Sequence, residues 1–154
     1  MTVEDRLAAV DGLLVRPFPD EAEQVAVDGG AWEGYRSSGQ GYHVYVLKAS
    51  QEFWDGRGEE VVEAAEEEIA AAYEALATVL TERWGRPEAV DLWPWLESEA
   101  PAPEPMDQLC QLSDRMVVWR PGGADGRWVA LVVGQADPEF PIQLLAAVGE
   151  APFH

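Results

Sequence analysis

Side chains able to do acid–base or nucleophilic chemistry are scarce in this sequence. Histidine occurs twice, at His43 and His154, and cysteine once, at Cys110. A histidine can act as a general base because its unperturbed pKa lies near neutrality, at about 6.5. A thiol beside it would supply a nucleophile. No spacing ties His43 to Cys110, and His43 sits mid-strand among aromatics, where a packed structural histidine is the competing reading. The sequence contains no His-Glu-x-x-His, no Cys-x-x-Cys, no Gly-Lys-Ser/Thr phosphate loop and no Gly-x-Ser-x-Gly. Asp20, Glu21 and Glu23 could hold a hard cation, but they lack EF-hand spacing and read as solvated surface. Gly122-Gly123-Ala124-Asp125-Gly126 has neither a following helix nor a lysine and reads as a hairpin loop. No catalytic residue, metal site or cofactor is assigned on this basis, and the balance leans away from an enzyme.

One carboxylate has an unusual place. At about 100° per residue, Glu66 projects about 40° from the middle of an apolar stripe made by Val62, Ile69, Tyr73, Leu76, Leu80 and Trp84. It is either a half-buried acid facing a pocket beside Tyr73, or a flanking Glu whose stem lies on the core while its carboxylate reaches water.

Tryptophan supplies the other candidates, with seven in 154 residues. Trp84, Trp119 and Trp128 are expected in the core. Trp93-Pro94-Trp95 reads as part of a strand, and strand residues two apart share a face. That pair could form an aromatic shelf for a ligand, a sugar ring or a partner's side chain; alternatively, both indoles pack under the long helix. Trp32 and Trp54, flanked by Gly and polar residues, are the other candidates for partly exposed aromatics. The candidate binding residues are therefore Trp93, Trp95, Trp32, Trp54, Glu66 and Tyr73.

These side chains must be positioned by a small set of elements. The stretch from Gly58 to Trp84 is dominated by Ala, Glu and Leu, with no Gly or Pro after Gly58, and predicts one long helix. Acids at Glu59, Glu60 and Glu63 suit its N-terminal dipole, and Gly85 with Pro87 stops it. Thr2 is expected to cap a helix from Val3 to Val10 that Asp11-Gly12 would end. Leu13–Pro19 reads as a connector and Val25–Val27 as a short strand, with Asp28-Gly29-Gly30 a turn. A hairpin pairs Ala31–Arg36 with Tyr42–Lys48 across Ser37–Gly41; both faces of the second strand are apolar, which predicts a central position. One helical turn is possible at Gln51–Trp54.

Beyond the long helix, Ala89–Leu96 reads as an edge strand because Pro94 interrupts it. Residues 97–105 form a Pro-rich surface loop, and Met106–Leu112 a short helix. A second hairpin pairs Arg115–Arg120 with Arg127–Gly134, with Trp119 opposite Trp128. Asp137-Pro138-Glu139 resembles a helix start, giving a helix to Val148, with a strand over Ile142–Val148 as the alternative. Strands grouped in hairpins predict an α+β fold: a mainly antiparallel sheet built from two hairpins packed against one long helix, with shorter terminal helices. Residues 1–154 are expected to form a single domain.

Composition bounds the partners. A net charge of −19 with one Lys and nine Arg disfavours nucleic acid, whose phosphates need cations, and an anionic membrane surface for the same reason. The acidic surface suits a basic protein partner, although surplus Glu can equally serve solubility. A lone cysteine allows no intrachain disulfide and fits a reducing cytoplasm. Neither a secretory leader nor a transmembrane segment is expected. A small, acidic, Trp-rich α+β protein without catalytic motifs is of the physical type of adaptor, chaperone-like or immunity-type proteins. The leading expectation is a non-enzymatic protein-binding module, with a small-molecule or carbohydrate-binding domain as the alternative.

Overall fold

A computed structural model describes residues 2–26, 32–53, 58–100, 102–121 and 126–150. The elements in chain order are α1 (Val3–Val15), β1 (Glu23–Val25), β2 (Arg36–Gly39), β3 (Tyr42–Ala49), α2 (Glu59–Trp84), β4 (Glu88–Asp91), α3 (Trp93–Glu97), α4 (Met106–Cys110), β5 (Arg115–Trp119), β6 (Trp128–Gly134) and β7 (Gln143–Gly149). All strands join one seven-stranded sheet in the order β1-β2-β3-β7-β6-β5-β4, and every pairing is antiparallel. The chain is thus α+β, with a long helix against an antiparallel sheet. The turn Asp28-Gly29-Gly30, Trp54, the loop at 122–125 and His154 lie outside the described residues.

The long helix forms where the sequence places it. Ala65, Ile69, Ala72, Leu76 and Leu80 are buried, with Val62, Tyr73 and Trp84 partly so. The buried line is centred toward the alanines, so Tyr73 and Glu66 fall on one flank. α1 runs beyond Gly12 to Val15, because Leu13 continues the buried line of Arg6 and Val10. A helical Gly costs about 1 kcal/mol, less than the burial of a Leu, worth about 1.5–3 kcal/mol. Thr2 caps it as expected, in a capping box with Asp5.

Four local expectations are corrected. The first hairpin turns at Gln40 and Gly41, so Ser37, Ser38 and Gly39 are buried strand residues and not loop. Trp93-Pro94-Trp95 lies in the first turn of a short helix, where Pro94 is tolerated because its missing N–H would have no intrahelical acceptor. The second hairpin pairs Trp119 with Val129, one residue off the expected register. Since a one-residue slip reverses every face, Trp119 and Trp128 point to opposite sides of the sheet, into different cores. Finally, Asp137 and Pro138 open only a turn closed by Phe140 N–H on the Asp137 carbonyl. Pro141 breaks any helix there, and the C-terminal segment is β7, the middle strand of the sheet.

Two cores result. α1 and α2 pack on one face over Leu47, Trp119, Val129, Leu131, Leu144, Ala146 and Val148. α4, Leu92 and Trp95 cover the other face over Tyr42, Val44, Val46, Met116, Val118, Trp128 and Val132. Among the described residues no helix is long and apolar enough to cross a membrane.

Candidate functional site

The residues with chemical potential gather at the β2–β3 end of the sheet, and they are sealed there. Ser38 and His43 face each other across the hairpin, both fully buried. Ser38 Oγ lies 2.6 Å from His43 Nδ1, Arg36 donates to Ser38 Oγ at 2.6 Å, and Arg36 pairs with Glu23 at 2.9 Å. His43 Nε2 lies 3.2 Å from the Arg16 carbonyl, which can only accept. That fixes the proton on Nε2 and makes Nδ1 the acceptor of the Ser38 hydroxyl. The neutral ring is satisfied on both nitrogens, and burial holds its pKa below the ordinary histidine value. Phe18 lies against the imidazole at 4.9 Å, and the Arg127 guanidinium sits 3.9 Å over Phe18 while donating to the Leu13 and Arg16 carbonyls. This network clamps the segment after α1 onto the sheet, and as folded it is closed to any substrate.

Cys110 is separated from His43 by the sheet: it packs in the other core and donates to the Asp107 carbonyl. Burial pushes its thiol up, with Asp107 and Glu104 adding to the effect, which is the reverse of what a nucleophilic thiolate requires. Among the described residues no cluster of three or more His, Cys, Asp or Glu is placed to hold a metal ion.

The open part of the molecule is at the other end of the sheet. A cleft of about 500 Å³ lies between α2 and the β4–β5–β6 strands, lined by Tyr73, Ala89, Asp114, Arg115, Val117, Leu131 and Val133, with Ser113 and Met116 completing it. Its floor is apolar because odd-numbered residues of β5 and β6 point to the α2 side of the sheet. Val133, at 38% exposure, is a large apolar side chain left in the open there.

Two shallower depressions extend this cleft. One continues over Tyr73, Glu74, Ala77, Thr78, Thr81 and Glu82; the other shares Ser113, Asp114 and Val133 and reaches Glu66 and Gln135. The cleft and the depression at Glu66 make one groove beside α2, and the depression from Tyr73 to Glu82 lies on α2 itself. The acids around them are Glu66, Glu74, Glu82 and Asp114, against the single cation Arg115. Burial raises the Tyr73 phenol pKa; Arg115 opposes that shift and Glu74 adds to it.

The six candidates named from sequence are dispersed. Tyr73 and Glu66 both line the groove, with Glu66 exposed so that its carboxylate reaches water. Trp93 is half exposed on α3, beside the similarly exposed Leu96, whereas Trp95 is partly buried against the second core. Two residues apart on a helix, their indoles diverge and form no shared shelf. Trp32 donates to Glu52 at 3.0 Å, leans on Phe140, and edges a cavity of about 120 Å³ with Ser37, Gln108 and Gln143. Trp54 lies outside the described residues. Sequence reading missed Val133, Leu131, Val117 and Arg115 as groove residues. Alternation in β6 marks Leu131 and Val133 as sharing a face, but nothing local marks that face as uncovered.

No protein-family model matches the chain, and neither a search of curated proteins nor one of solved structures found a match.

Proposed function

We propose that the protein is a non-enzymatic, acidic protein-binding module that engages a basic partner through the groove beside α2. One observation carries the reading: an apolar floor in which Val133 is exposed and Val117 and Tyr73 are partly so, beside a rim of carboxylates. Apolar anchors in a pocket supply affinity. The rim charges supply steering and partner choice, and the net charge of −19 extends that attraction beyond the contact itself.

A second reading is a small-molecule or carbohydrate site in the deepest part of the same groove. It is favoured by the cleft's volume of about 500 Å³, within the range typical of ligand sites, and by Arg115 and Asp114 beside an aromatic ring. The two readings separate in one experiment. The chain and its Val133→Asp variant are used as baits in lysate of the source organism at low and high salt. Recovery of one basic protein by the wild-type bait at low salt, reduced with the variant and lost at high salt, is the result expected of the binding module. No groove-dependent recovery, together with a thermal shift on small-ligand or sugar screening that Val133→Asp abolishes, would favour the second reading.

A further inference from the structure

The helix-bearing face of the sheet is left partly uncovered toward β4. On this face the Arg16–Asp20 segment lies against β2 and β3, as the contacts of His43 with Arg16 and Phe18 and of Gln40 with Asp20 show. α1 follows over β3 and β7, and α2 lies over β3, β7, β6 and β5. On the side of α2 toward β4, Ala89 and Val133 are exposed and Val117 partly so, over the buried Leu131, and they form an open apolar strip.

We propose that this strip is occupied by a single amphipathic α-helix of a basic partner, lying alongside α2 with its apolar stripe on Val133, Val117, Ala89 and Tyr73 and its Lys or Arg flanks toward Glu66, Glu74, Glu82 and Asp114. The proposal rests on the groove being the binding surface. A helix is selected over an extended peptide by the backbone. β5 and β6 are each paired on both sides, so the floor offers an extended peptide no main-chain partners, and its N–H and C=O groups would be buried unsatisfied. A helix satisfies its own. The β4 edge gives no strong alternative: it spans only Glu88–Asp91, follows Pro87, carries an acid at each end and runs almost directly into α3. A second copy of this chain is disfavoured by its charge of −19 facing an acidic rim. A helix spanning Glu66 to Glu82 would have about 16 residues.

The test uses the full chain and three 16-residue peptides. One places Leu at helical spacing among Lys, the second has the same composition in strict alternation, and the third has Glu in place of Lys. Titration calorimetry at low salt is run on the wild type, Val133→Asp and Ala77→Arg, with circular dichroism confirming that the variants fold. The helical basic peptide is expected to bind at least tenfold tighter than the other two, to gain helicity, and to weaken at least tenfold on both variants. Val133→Asp is diagnostic because it adds negative charge, so adventitious attraction of a cationic peptide would rise and not fall. An alternating peptide that binds as tightly and is weakened by Val133→Asp would overturn the helix while leaving the groove. Binding of the helical peptide that ignores both variants would overturn groove and helix together. Absence of binding by the helical peptide overturns the helix proposal, and the lysate experiment then decides the groove separately.

Discussion

The two ends of the sheet differ in a way that reverses the usual association of chemistry with function. At the β2–β3 end stand a serine, a histidine, an arginine and a glutamate in hydrogen-bond contact, yet Ser38 and His43 are fully buried and the polar side-chain atoms of both are used. At the β4–β6 end stand Val133, Val117 and Ala89, unremarkable by type, yet exposed or partly so. Burial with complete satisfaction makes a polar group structural. Incomplete coverage makes an apolar group available to a partner. Which side chains serve stability and which serve binding is therefore decided by the helices above them, not by residue type.

The comparison breaks most visibly by removing the sealed histidine. His43→Ala deletes a buried ring packed against Phe18 and strips Ser38 of its acceptor, with an expected loss of about 3 kcal/mol. A denaturant midpoint measures it, and partner binding by the folded fraction should be unchanged. If His43→Ala instead spared stability and abolished an activity, the sealed end would be the functional one.

The groove end should answer the opposite way. Val133→Asp is expected to weaken partner binding at least tenfold while costing stability about 1 kcal/mol or less, because Val133 is exposed, and Tyr73→Ala to weaken it similarly while costing about 1–3 kcal/mol, because its ring packs partly on the core. Calorimetry and thermal unfolding on the same samples give both numbers.

A pH titration sharpens the contrast further. Burial lowers the folded-state pKa of His43 below the 6.5 it has when free. The unfolded chain therefore takes up a proton first, so stability is complete above pH 6.5 and falls as pH drops through the lowered folded value. His43→Asn should flatten the slope just below pH 6.5. A slope that persists in the variant would assign the linkage elsewhere.

The smallest expected effect is at the exposed indole. Trp93→Ala should change stability by about 0.5 kcal/mol or less and leave groove binding intact. A large loss of partner binding in that variant would move the site to α3, where the aromatic reading of the sequence placed it.

Much of the fold was legible in the chain. α2, the Thr2 cap and the presence of both hairpins follow from period, capping and turn residues; β4 is an edge strand as expected, but Pro94, the ground for that expectation, lies in α3. The failures have physical causes. The register of the second hairpin depends on its loop and on which core receives each tryptophan, and a single residue exchanges the two. The apolar run at 142–148 suits a buried helix or a central strand equally, and only Pro141 and the flanking strands decide. Gly39 and Gly149 sit within strands because the Tyr42 and Trp128 rings lie where a Cβ would go. Tyr73 and Glu66 were found because they flank the stripe of one helix. Val133 was not, because which part of a sheet face stays uncovered is set by where the helices pack, not by local sequence.

Cross-linking from inside the groove tests the central claim most directly. Cys110 is buried with a raised pKa, so Val133→Cys introduces the one reactive thiol for a photoactivatable label, and Trp93→Cys serves as its counterpart on α3. In source lysate, illumination is predicted to join a basic protein to the label at 133 and not to the label at 93. Cross-links from 93 alone, or from neither position, would contradict the groove as the binding surface.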